Sequence, residues 1–372
     1  MKKIWRYSLI TIAILICLAL AALAAGFFAV RYNLTKISGQ VDPNSYIYEQ
    51  ELNHEKNINL ETLPVNKSIF GDNEYINWCK IDIAANYSLG NAKKIFQAYI
   101  DSHSEVLLRR MLLALSLRIP NRAQFEKELL NCESQLSPII SRGTLADRLS
   151  KESTENLFAW QNYEPWSIIR QGLTKDMPTI YAAADAAGVQ PRLLVSVAIV
   201  EQLRLYYTQR ELFEKFFKPL KILANANKMA WGVMSIKEPM AMQTESHLKD
   251  TKSPFYLGKE YENLLDFPKD ANISRLRYNR LTDEKNHYYS YLYGALIIKQ
   301  IETQWEKAGF PIIYRPELVA TLFNIGFNNS KPKENPSVGG STISIEGVKY
   351  YFGSLAYEFY YSGDLINEFP YK

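Results

Sequence analysis

Glu201 is the residue in this chain best placed to carry acid–base chemistry. It sits in residues 193–207, LLVSVAIVEQLRLYY, which are apolar on nearly every face. A stretch of that kind folds as a buried helix rather than a surface one. The helical neighbours of Glu201 at i−4, i−3 and i+4 are Val197, Ala198 and Leu205, so its surroundings are expected to be dry. Burial disfavours the charged form of a carboxyl. A carboxylic acid kept protonated near neutral pH is what a general acid requires. The competing reading is structural: Arg204 stands at i+3, where it can pair with Glu201.

Other chemistries find little footing. The chain has no HExxH, no CxxC pair, no phosphate loop and no GxSxG. His54, His103, His247 and His287 are scattered without metal-ligand spacing, so neither a metal nor a cofactor is expected. Ser246 to Lys249 matches an SxxK pattern, but no KTG-like companion follows, and the match reads as chance.

The elements around Glu201 must position it. Residues 176–187 form an Ala-rich helix stopped by Gly188, and Pro191 suits the first turn of the helix that carries Glu201. The segment MAWGVMSI, 229–236, follows. Residues 238–286 are charged and broken by Pro239, Pro254, Gly258 and Pro268, and are expected to form an irregular lid or insertion over a cleft. Residues 287–308 return to helical spacing, with Tyr291, Ala295, Ile298, Ile301 and Trp305 on related faces and Gly309 as the stop. Pro316 opens a helix through PELVATLFNIG. After a proline-bearing loop, 343–351 alternates as a short hairpin around Glu346-Gly347, and 354–361 is an aromatic helix.

Upstream, 74–158 reads as a helical accessory region. Asn91 is a candidate cap for the helix through KKIFQAYI. A second segment, 106–119, stops at Pro120, and a third, 123–136, stops before Pro138. Cys79 and Cys132 flank this group. In an oxidising compartment they can pair and staple it; two buried free thiols are the alternative. Residues 31–73 are polar and Asn-rich, a linker that lets the rest stand off a membrane.

The membrane enters through residues 8–30, a charge-free run dominated by Ile, Leu and Ala and long enough to span a bilayer. Lys2, Lys3 and Arg6 precede it, which favours a cytoplasmic tail over 1–7 and an anchor that stays uncleaved. A cleaved signal peptide is the rival reading, since 21–26 is rich in small residues. Either way the bulk of the chain lies outside the cytoplasm. The formal charge of the whole chain is +4. Without the three tail cations about +1 remains, which argues against a nucleic-acid partner. Among 372 residues, 47% are hydrophobic, enough for one large or two ordinary domains. The 25 tyrosines suit core packing or a carbohydrate-lining surface.

Three segments in order carry a resemblance: the glutamate helix VSVAIVEQ, then AWGVMSI, then ATLFNIG. Together they resemble the lysozyme-like lytic transglycosylases, whose pattern is a glutamate helix, a GLMQ segment and an AYNAG segment. The resemblance covers roughly residues 178–330. It implies that Glu201 is the single catalytic acid/base. It also implies that Gly232, Val233, Met234, Ser235, Phe323, Asn324 and Gly326 line the substrate cleft. Gln202, Ser235 and Phe323 stand where the family has Ser, Gln and Tyr, and the spacing from Glu201 to Gly232 implies an insertion around 209–228. The implied reaction cleaves the MurNAc–GlcNAc bond of peptidoglycan and leaves a 1,6-anhydro-MurNAc end; attack by water instead would make a muramidase. The alternatives are a non-catalytic peptidoglycan-binding or envelope scaffold protein with a degenerate cleft, and a helical ectodomain in which Glu201 is structural. The expected fold is mainly α with a small β-hairpin. A lysozyme-like domain over 159–372 follows the accessory region, and the periplasmic bulk is held by a single-pass anchor in the bacterial inner membrane. Glycan strands are the expected partner.

Overall fold

Short polar residues open most of the N-terminal helices. The computed structural model describes residues 70–132, 140–153, 156–207 and 230–371. Helix α1 (Phe70–Tyr87) begins before the expected position, so 70–73 belong to it and not to the linker. Ser88 caps α2 (Leu89–Ser102), its Oγ accepting from the Asn91 amide at 3.3 Å. Asn91 is therefore not the cap. It lies inside the helix, where its Oδ1 accepts from Ser88 Oγ at 2.7 Å and from the Leu157 amide at 2.8 Å. Ser104, Asn121 and Ser141 cap α3 (Glu105–Ser116), α4 (Arg122–Asn131) and α5 (Arg142–Leu149) in the same way. A disulfide joins Cys79 in α1 to Cys132 at the end of α4.

Prolines in the first turn open α6 (Glu164–Lys175), α7 (Met177–Ala187) and α8 (Pro191–Tyr207). Gly188, at φ +66°, supplies the left-handed residue that ends α7. Residues 230–237 fold as a two-stranded ladder, β1 (Ala230–Trp231) on β2 (Ile236–Lys237), closed by the turn 232–235. The expected irregular lid over 238–286 instead contains two helices, α9 (Glu238–Lys249) and α10 (Ile273–Thr282). The prolines fall at a first turn and between helices, where they break nothing. Arg277 holds the pair together, donating to both oxygens of Glu245 at 2.7 Å each and to Glu238 at 3.2 Å.

The remaining order is α11 (Tyr288–Lys307), α12 (Pro316–Ile325), β3 (Thr342–Ile345), β4 (Val348–Tyr351) and α13 (Phe352–Tyr361). The hairpin β3–β4 turns at Glu346 and Gly347, both at positive φ, the two-residue turn whose twist matches that of the strands. The fold is thus mainly helical with small antiparallel sheets. Helix α8 is its centre and packs against α7, α11, α12, α13 and β3. At its first turn the buried Arg192 donates to the carbonyls of Tyr360, Asp364 and Phe369, fastening the C-terminal segment.

The N-terminal helices share this core rather than standing apart from it. Arg118 pairs with Glu358, Lys94 Nζ reaches Asp364 at 2.9 Å, and Arg110 donates to the Tyr361 hydroxyl at 2.7 Å. The expected anchor over 8–30, nearly all of the linker and the insertion over 209–228 lie outside the described residues. Among the described residues no single helix is long and apolar enough to cross a membrane.

Candidate functional site

Helix α8 buries Glu201 at 3% exposure because the helix is covered along most of its length, and only its last turn, with Tyr206, reaches solvent. The carboxylate is not alone there. Arg204, one turn on, donates to Glu201 Oε2 from Nε at 3.1 Å and from Nη2. Both members of the pair are buried. A general acid at this position must release that guanidinium before it can deliver a proton.

The neighbouring residue makes the link to the next segment. Gln202 Nε2 donates to the Val233 carbonyl at 2.6 Å, so α8 and the turn 232–235 touch at the residue after the glutamate. Inside the turn, Met234 is fully buried, and its Cε lies 2.7 Å from where a Cβ on Gly294 would stand. A glycine in α11 is what lets the methionine settle there. The Met234 backbone amide donates to Ser290 Oγ at 3.3 Å. Val233 is half-buried against the core. Ser235 is buried at φ +50°, and its hydroxyl has no hydrogen-bond partner among the described residues.

Two expected roles change. The resemblance puts Gly232, at φ +69°, on the lining of the cleft. Its close approach is instead to protein: a Cβ there would stand 1.9 Å from the Leu281 carbonyl oxygen and 2.7 Å from Ser290 Oγ. The resemblance puts Asn324 on the same lining. Its Oδ1 accepts from the amide of Ser341 at 2.8 Å and from its hydroxyl at 3.0 Å. It therefore clamps the loop that leads into β3, because the open end of α12 and that loop meet there. Phe323 is buried core, and Gly326 ends α12 at φ +82°.

At the far end of α8, aromatic side chains gather that the motif comparison did not single out. Tyr207 is pushed up to about 12, chiefly by burial and further by Glu346, Tyr206 and Tyr163. Tyr206 and Tyr163 are both exposed, and Tyr206 meets Tyr207 edge-on at 5.2 Å. Only the fold brings Tyr163, the α8 terminus and the β3–β4 turn together; the paired tyrosines at a helix end were the one local signal. No family model matches the chain, and no curated protein or solved structure matches it.

The described concavities lie elsewhere. One of about 800 Å³ opens between the end of α1 and a wall that includes Ser153, Asn156, Leu157, Gln161 and Asn162. A second, of about 490 Å³, runs between α2, α6 and residues 363–368. Glu201 lines neither. The SxxK pattern brings no reactive pair: Lys249 is engaged by Asp266 and Asn263.

Proposed function

We propose that the protein is a membrane-anchored, peptidoglycan-directed enzyme of the lytic transglycosylase type, with Glu201 as its acid and base. The observation that carries the reading is the 2.6 Å bond from Gln202 to the Val233 carbonyl, which ties the glutamate helix to the Gly-Val-Met turn. Segments that resemble one family in sequence order also meet in space.

In this reading Glu201 protonates the bridging oxygen between MurNAc and GlcNAc, and an oxocarbenium-like transition state develops. The carboxylate so formed takes the proton of the muramoyl 6-hydroxyl as that oxygen attacks C1, giving the 1,6-anhydro product. Attack by water would give a muramidase product from the same acid. Arg204 is the gate: the Glu201–Arg204 pair must open for the first proton transfer. The anchor over 8–30 would hold the site on the periplasmic side of the inner membrane, where its substrate lies.

The test is Glu201→Gln assayed on purified sacculi. The amide keeps the shape but delivers no proton, so release of anhydro-muropeptides should fall by at least the roughly 10²-fold typical of general acid catalysis. Wild-type protein that releases neither anhydro nor reducing-end muropeptides would overturn the assignment.

A second reading is a non-catalytic glycan-binding or scaffold protein with a lysozyme-like cleft. The buried Glu201–Arg204 pair favours it, as does the buried Phe323, which brings no hydroxyl where the resemblance calls for one. In that case wild type and Glu201→Gln bind sacculi alike and neither cleaves them.

A further inference from the structure

Exposed apolar side chains are scattered singly over most of the described surface, but three of them crowd onto one loop. Phe310, Ile313 and Tyr314, between α11 and α12, are 36%, 45% and 60% exposed. Residues 308–314, AGFPIIY, carry no charge. The loop is held in place. The Phe310 amide donates to the Trp305 carbonyl and the Arg315 amide to the Ile312 carbonyl, each at 2.9 Å. Ile312 is buried at the base of the loop, and Arg110 of α3 donates to the Tyr314 carbonyl at 3.3 Å. The fold thus presents a rimmed apolar patch on a fixed backbone, the mark of an interaction surface.

What meets this loop follows from where the chain enters the fold. Helix α1 is the first described element after the expected anchor over 8–30. Asn77, in its N-terminal half, donates to Glu105 in the first turn of α3 at 3.3 Å. Arg110, which holds the loop, stands five residues on, about 7.5 Å of helix rise. The entry of the chain and the apolar loop are therefore fastened to the same end of α3. We propose that Phe310, Ile313 and Tyr314 dock on the lipid surface of the membrane that anchors the chain, so that the domain rests against the bilayer on this loop. Tyr314 suits the headgroup level, where amphipathic rings collect, and Phe310 and Ile313 suit the acyl boundary below it. Glu306 and Lys307, just before the loop, cancel in charge, so apolar burial drives the contact. Three side chains bind lipid weakly alone, but a tether to the same surface raises their effective concentration. The proposal rests on the anchor over 8–30 and not on the chemistry of Glu201.

The experiment uses full-length protein, one copy per nanodisc of phosphatidylethanolamine and phosphatidylglycerol. Cys17→Ser leaves no free thiol, because Cys79 and Cys132 are joined. In that background Ile313→Cys or Glu284→Cys carries a nitrobenzoxadiazole dye. Glu284 is exposed at the opposite end of α11, about 30 Å away along the helix. Doxyl groups on the lipid chains quench a dye that touches the bilayer. Interfacial side chains sit about 5–10 Å into the headgroup and acyl boundary, so the dye at 313 should lose roughly half its emission or more, and the dye at 284 almost none. Phe310→Asp should bring the loss at 313 down to that at 284. Equal quenching at the two positions, or a loss at 313 that Phe310→Asp leaves unchanged, would overturn the proposal. So would a dye at 313 that is blue-shifted but unquenched: at one copy per disc another stretch of this chain covers the loop, and if it appears only at two copies a second molecule does. Circular dichroism melting checks folding, and if Phe310→Asp unfolds, the contrast between 313 and 284 decides. Protein that does not co-elute with the discs refutes the anchor and the docking together, whereas co-elution without quenching refutes the docking alone. Neither outcome touches the assignment of Glu201, which is tested on sacculi.

Discussion

Replacing Glu302 by Gln should stabilise the protein, and by an amount that depends on pH. Glu302 lies on α11 at 8% exposure, and its Oε1 has no hydrogen-bond partner among the described residues. Burial pushes its carboxyl from 4.5 up to about 7; Lys299 opposes the rise and Glu306 adds to it. The folded value lies above the unfolded one. The proton therefore stabilises the native state, fully below about 4.5, and that stability is lost as pH rises through about 7. The separation between the two values corresponds to roughly 3 kcal/mol, at ~1.4 kcal/mol per tenfold change in proton affinity. Glutamine keeps the shape and carries no charge at any pH. Urea unfolding, followed by tryptophan fluorescence, should give nearly equal stability for the two proteins at pH 4. At pH 8 the variant should lead by about 3 kcal/mol, the full linkage term. A lead that does not change with pH, or one below about 1 kcal/mol at pH 8, would refute the burial argument.

Gly232→Ala should cost at least ~2 kcal/mol, because the new Cβ meets the Leu281 carbonyl in a left-handed backbone; thermal melting measures it. Asn324→Ala should cost about 1–3 kcal/mol and speed hydrogen exchange at the Ser341 amide, which loses its acceptor. Mass spectrometry of unreduced, alkylated protein should yield linked Cys79 and Cys132 peptides. Reducing that bond, whose cysteines are 53 residues apart, should cost about 4 kcal/mol by the chain-entropy estimate.

Much of the scaffold could be read from residue types, because the physics there is local. Proline at first turns, glycine after α7 and α12, and Glu346-Gly347 between alternating strands act over a few residues. The uniform apolarity of 193–207 by itself determined that this helix is central and that Glu201 is buried. It also left both fates of Glu201 open, since the i+3 spacing permits the Arg204 pair without requiring it. The tertiary structure decided for the pair: both side chains are buried where the neighbouring helices cover α8, and each becomes the other's partner. Residues 238–286 were misread because prolines and charges look irregular in sequence; Arg277 and its two carboxylates give those charges a use that only folding reveals. The same holds for Gly232 and Asn324. Residue type announced a close approach and a hydrogen-bonding amide, but Leu281 and Ser341, distant in sequence, determined what is approached and what is bonded. Contacts over such separations are set by the packing of whole helices, and that packing has no signature in any one segment.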